Sequence, residues 1–140
     1  MKYIIILLLS TIIIAGCGNS GGSDSPANSI KDFVKTVKEG NTPKAWNYLT
    51  PDSQKQFETS AKQRNLSGKE AFEKDFQNPK SLGNLFEDFE VIDEQKEGES
   101  AKVTLRFVSG KTLEVYSLKD GSAWKYDLVK TNKELMKLVE

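Results

Sequence analysis

The 140-residue chain has no histidine, a single cysteine and no excess of either charge, with 20 basic residues against 20 acidic ones. Without histidine there is no imidazole for general acid–base work, no Ser-His triad and no His-ligated metal site. One cysteine cannot form a disulfide within the chain. Balanced charge lacks the clustered basic excess by which nucleic-acid surfaces and polybasic membrane patches are recognised. "SGG" and "SGK" have neither the spacing nor the context of a phosphate-binding loop, so no nucleic acid and no cofactor are expected. Long hydrophobic runs are missing too. The longest, from Tyr3 to Ala15, falls short of the roughly 20 apolar residues that cross a bilayer.

That run has one positive flank, Lys2, and ends in the small residues Ala15 and Gly16, the pattern of a cleaved secretory leader. Ile14-Ala15-Gly16-Cys17 resembles the lipobox of bacterial lipoproteins, in which the cysteine thiol takes a diacylglycerol and becomes the new N-terminus. The alternative is an ordinary leader with an incidental cysteine. An unpaired thiol in an exported protein is a liability that lipidation removes, and each buried methylene adds about 0.8 kcal/mol of membrane affinity. The resemblance implies a leader over residues 1–16 and an acyl or palmitate-bearing anchor at Cys17. It also implies a place at the cell envelope, on the cell membrane or the outer membrane. Residues 17–28, rich in Gly, Ser and Asn, are expected to be a flexible linker reaching roughly 18 Å on average and about 37 Å when stretched. Removing the leader takes away Lys2 alone, leaving 19 basic and 20 acidic residues.

Residues 29–140 are enough for one domain with one core. Ile30, Phe33, Val34 and Val37 fall at i, i+3, i+4 and i+7, one face of a helix, for which Ser29 and Asp32 suggest a capping box. Gly40 and Asn41 end it, and Thr42-Pro43 and Thr50-Pro51 each restart a helix with proline preorganised in its first turn. Ser67 is expected to cap a further helix carrying Ala71, Phe72 and Phe76. From Leu85 the period changes to two: Phe89 and Val91; Val103, Leu105 and Phe107; Leu113 and Val115; Trp124, Tyr126 and Leu128. These predict four strands with one buried face each, joined by short glycine-bearing loops that make neighbours antiparallel. The last ten residues are expected to form a short helix.

Helices followed by such a meander make an α+β fold: N-terminal helices packed on a curved four-stranded antiparallel sheet, with a short C-terminal helix. The segment "IKDFVKTVKEGNTPKAWNYLTPDSQKQF" and the closing "DGSAWKYDLV" resemble the nuclear transport factor 2-like superfamily, and within it small bacterial lipoproteins of unknown function. The resemblance implies a cone-like, cystatin-like shape whose interior some members use for catalysis and many fill with side chains.

Catalytic relatives place a carboxylate, a tyrosine or both inside the cone. Here Glu87 shares the phase of Leu85, Phe89 and Val91, and Tyr126 that of the last strand, so the two are the candidates for an acid–base pair. The structural alternative puts Glu87 in solvent at the strand start and Tyr126 in the core. Trp46 and Trp124 are read as packing before stacking platforms. Asp88, Glu90, Asp93 and Glu94 lack the spacing and glycine of a calcium loop, and no metal is expected.

The expected function is therefore a membrane-anchored binding module, for an envelope protein or a small apolar ligand, with a cone-pocket enzyme of hydrolase or isomerase type as the alternative. A cavity of about 300 Å³ or more with Glu87 facing it would favour ligand or substrate; a filled cone would favour a protein interaction module. A weak homodimer is compatible with the polar outer sheet face of Thr104, Arg106, Glu114 and Tyr116.

Overall fold

The computed structural model describes residues 21–139. The leader, Cys17 and the first residues of the expected linker lie outside the described residues. Five α-helices and four strands follow one another as α1 (Pro26–Lys38), α2 (Thr42–Trp46), α3 (Pro51–Ala61), α4 (Gly68–Asp75), β1 (Phe89–Glu97), β2 (Ser100–Phe107), β3 (Thr112–Asp120), β4 (Ala123–Tyr126) and α5 (Leu128–Lys137). A 3-10 segment, Pro79–Phe86, joins the helical half to the sheet. The strands form an antiparallel meander in the order β1-β2-β3-β4, curved under the helices, as the sequence predicts.

Helix α1 buries Ile30, Phe33, Val34 and Val37, the stripe expected from their spacing. Its start differs from expectation. Ser25 is the N-cap, accepting the Asn28 N–H, and Pro26 occupies the first turn, so ordered structure reaches into the segment 17–28 expected as a linker. Ser29 faces inward instead of capping: its hydroxyl donates to the Pro26 carbonyl at 2.7 Å and meets the Ser117 hydroxyl of β3 at 2.6 Å. Ahead of the helix, Ser23 exchanges both backbone hydrogen bonds with Trp124, at 2.9 and 2.8 Å, and so covers the outer edge of β4. This leaves little backbone for an intruding strand to pair with there.

Asn41 and Thr50 cap α2 and α3, each followed by a proline in the first turn. Ser67 and Glu70 complete a capping box on α4. Gly68 allows α4 to lie against α3, since a Cβ there would stand 2.6 Å from the Glu58 backbone nitrogen. Inside, Phe72 touches four other rings, with centroids 6.3 Å from Phe33, 5.5 Å from Trp46, 5.4 Å from Phe57 and 4.7 Å from Phe76. The sheet closes this cluster with Val103, Leu105, Phe107 and Val115. Among the described residues, every member of the core cluster lies between Ile30 and Tyr126.

Strand β4 pairs with β3 only along Ser117–Asp120. Beyond that point α5 takes its place: the Asp127 N–H donates to the Tyr116 carbonyl at 2.9 Å, and the Tyr116 N–H to Thr131 Oγ1 at 3.0 Å. Leu128 is therefore the first residue of a helix and not the last of a strand. The start of α5 is held from a distance. Ser53 of α3, 1% exposed, accepts the Leu128 and Val129 amides at 3.0 and 3.3 Å, and Asp127 accepts that of Lys130 at 3.0 Å, satisfying three donors that a helix start otherwise leaves unpaired. Ser53→Ala would strand two of them and is expected to cost about 1–3 kcal/mol in urea denaturation. An unchanged midpoint would show that water replaces the hydroxyl.

Candidate ligand chamber

Where β4 parts from β3, the helices, the 3-10 segment and α5 border a half-open cavity of about 290 Å³. Phe33, Phe57 and Phe76 form one wall, Leu82 and Leu85 of the 3-10 segment a second, and Leu113 of β3 with Leu128 and Leu135 of α5 a third. Leu82 and Leu85 reach the same space from either side of a kink at Gly83, whose φ of 58° and ψ of −125° break the 3-10 repeat. Ser81, Asn84, Thr131 and Asn132 supply hydrogen-bonding groups, and no lining side chain is charged. A small apolar space with a few polar groups is the usual form of a small-molecule site.

Tyr126 is on the wall and is 1% exposed. Burial pushes its phenol far above the usual tyrosine range, with the Thr131 hydroxyl acting in the other direction, so it stays neutral at physiological pH. Its ring lies 5.0 Å from that of Phe33. The phenol is thus a packing group and a hydrogen-bonding group, not an acid or base that changes charge.

Glu87 is not beside it. The 3-10 segment runs to Phe86, Glu87 is its exposed C-cap, and β1 begins only at Phe89. The alternation that would have turned Glu87 inward therefore starts two residues after it. Glu87 lines a separate hollow of about 150 Å³ together with Lys111 of the β2–β3 turn. The two candidate catalytic residues are not brought together. Trp46 packs against Phe57 and Phe72, and Trp124 is buried under the Lys96 ammonium, 5.8 Å from its ring centre; neither lines the chamber. Burial also holds the Asp127 carboxyl above the usual carboxylate range, opposed by the Lys130 N–H it accepts, but that residue does not line the chamber.

Among the described residues no three acidic, histidine or cysteine side chains gather closely enough to hold a metal ion, and no helix is long and apolar enough to cross a membrane. Glu90 is paired with Arg106 and Asp88 with Lys38. A shallower groove of about 410 Å³ lies between α1 and β1, but only Val34 and Phe89 give it an apolar floor.

The sequence reading missed Thr131 and Asn132. The signal was present: Leu128, Thr131, Asn132 and Leu135 occupy i, i+3, i+4 and i+7 of α5, an inward stripe with two polar members. Assigning Leu128 to a strand hid it.

A family model described as "Domain of unknown function (DUF4878)" matches residues 16–126. No curated protein matches the chain. A solved structure from Campylobacter jejuni, named "Putative NTF2-like transpeptidase", is similar over 74% of this chain and 98% of that one, at 16% identity and a TM-score of 0.49.

Proposed function

The chain belongs to the family described as "Domain of unknown function (DUF4878)", and from that premise we propose that it is a membrane-anchored, non-catalytic binding module of the cell envelope whose chamber receives the apolar part of a small ligand. The observation that carries the binding reading is the chamber itself: about 290 Å³ of space walled by aromatic and leucine side chains, with polar groups but no charge. Burying an apolar group there is favourable by roughly 25 cal/mol per Å², and nothing in the lining would titrate to drive proton transfer. A general acid–base pair needs groups poised near the working pH and within reach of one another. Tyr126 is held neutral by burial and Glu87 lies in another hollow, so the catalytic alternative has no pair to run on. The anchoring half of the proposal rests on the lipobox-like Ile14-Ala15-Gly16-Cys17.

The test uses the mature chain from position 17 carrying Cys17→Ser, which keeps every described residue of the core and needs no detergent. Phenethyl alcohol, a ring with an uncharged hydroxyl, is expected to bind with a dissociation constant on the order of 0.1–1 mM for a ligand of this size. Leu113→Trp, which fills the chamber from β3, should weaken it by roughly tenfold or more while the circular dichroism spectrum and thermal midpoint are kept. Equal binding by the filled variant would place the ligand elsewhere.

A further inference from the structure

Resting on the chamber reading, we propose that the ligand is an apolar α-amino acid, its side chain in the chamber and its zwitterionic head held between Glu87 and Lys111. The chamber and the hollow containing these two residues share Asn84 and Leu113 in their linings, so the two spaces are neighbours across that pair, past which the ligand would run from side chain to head group. The hollow, at about 150 Å³, is the size of a head group and not of a second ligand. Phe107 and the hydroxyls of Ser109 and Thr112 complete its lining.

Glu87 and Lys111 come from different elements and bring opposite charges to one space. Among the described residues neither is in an ion pair. Both backbones are fixed. The Glu87 N–H donates to the Asn84 carbonyl at 3.2 Å, and the Lys111 carbonyl accepts the Phe107 N–H at 2.9 Å across the β2–β3 turn. A purely cationic ligand would satisfy Glu87 and leave its charge beside Lys111; an anion would do the reverse. A group carrying both charges as substituents of one carbon meets each with its complement, ammonium toward Glu87 and carboxylate toward Lys111, with the hydroxyls left to complete the hydrogen bonds. The chamber is at the lower limit of small-molecule sites, which suits one side chain and not a peptide or a long acyl chain.

Four probes with one ring and different heads separate the possibilities on the mature Cys17→Ser chain, read by calorimetry: L-phenylalanine, phenethylamine, hydrocinnamate and phenethyl alcohol. L-Phenylalanine is expected to bind about tenfold tighter than phenethyl alcohol, with each charge contributing roughly threefold to fivefold for a partly exposed pair. Glu87→Gln should weaken L-phenylalanine and phenethylamine by that factor and leave hydrocinnamate unharmed; Lys111→Gln should weaken L-phenylalanine and hydrocinnamate and leave phenethylamine unharmed. Glu87 and Lys111 lie on the surface, so both variants should fold, and unchanged thermal midpoints would verify it. If phenethyl alcohol binds as tightly as L-phenylalanine, the head-group assignment is overturned while the chamber stands. If hydrocinnamate binds tightest, the ligand is an anion and the assignment also falls. If no probe binds, the chamber reading and this inference fall together.

Discussion

Replacing Phe72 with alanine is expected to destabilise the domain by about 3–5 kcal/mol, the range for deleting a phenyl ring from a packed core. Phe72 has no exposed surface, and its ring is the hub between α1, α2, α3 and the turn after α4, within 4.7–6.3 Å, centre to centre, of four other rings. Its removal therefore costs transfer free energy, the contacts of a stacked partner in Phe76, and a cavity that helices tied to one another cannot collapse to fill. For a domain of this size that corresponds to a fall in thermal midpoint of roughly 10–20 °C. Phe86 is a control, being 42% exposed, and its alanine variant should lose less than about 1 kcal/mol. Urea denaturation of the two variants checks both values, and similar losses for the two would contradict the assignment of the core.

The second large effect concerns location. Cys17→Ser is expected to move the chain from the membrane fraction to the soluble fraction of an exporting bacterial cell, because two acyl chains supply stable attachment where a single short anchor does not. Intact-mass measurement of the unaltered chain should show a polypeptide starting at Cys17 and heavier by a diacylglycerol. Retention of the serine variant in the membrane, or an unaltered chain free of lipid, would remove the anchor. Structure sharpens the geometry of this expectation. Gly21 lies against Asn47, where a Cβ would meet the backbone at 2.3 Å, and Ser23 is paired with Trp124. Only the four steps from Cys17 to Gly21 then separate an anchor from the folded body, at most about 14 Å of chain. The proposed module would sit against the lipid head groups, nearer than a linker running to residue 28 would place it.

Where side chains are apolar and regularly spaced, sequence was a sufficient guide. Ile30, Phe33, Val34 and Val37, or Val103, Leu105 and Phe107, are buried as their periods require, since hydrophobic burial depends on the pattern and little else. Capping was legible at Ser67, where Glu70 completes the box. Polar residues that turn inward were not. Ser29, Ser53, Ser117 and Thr131 are buried because each finds a backbone or hydroxyl partner far along the chain, and such pairing has no local signature. The site suffered most where one period gave way to another. Leu82 and Leu85 are three residues apart in a 3-10 segment, and Gly83 there adopts φ 58°, ψ −125°, a conformation open in practice to glycine alone. Counting by twos across that junction turned Glu87 inward. At the other end, Tyr126 and Leu128 belong to two elements, and the chamber lies in the gap that opens where the first stops and the second begins.

The chamber can be tested most directly by methyl NMR of the mature Cys17→Ser chain, isotope-labelled at leucine and valine and titrated with L-phenylalanine. Saturable shifts are expected at Leu82, Leu85, Leu113, Leu128 and Leu135, which line the cavity, with Val103 and Leu105 of the packed sheet little changed. Shifts confined to surface methyls such as Val108 and Leu138, or none at saturating ligand, would contradict a ligand chamber in this protein.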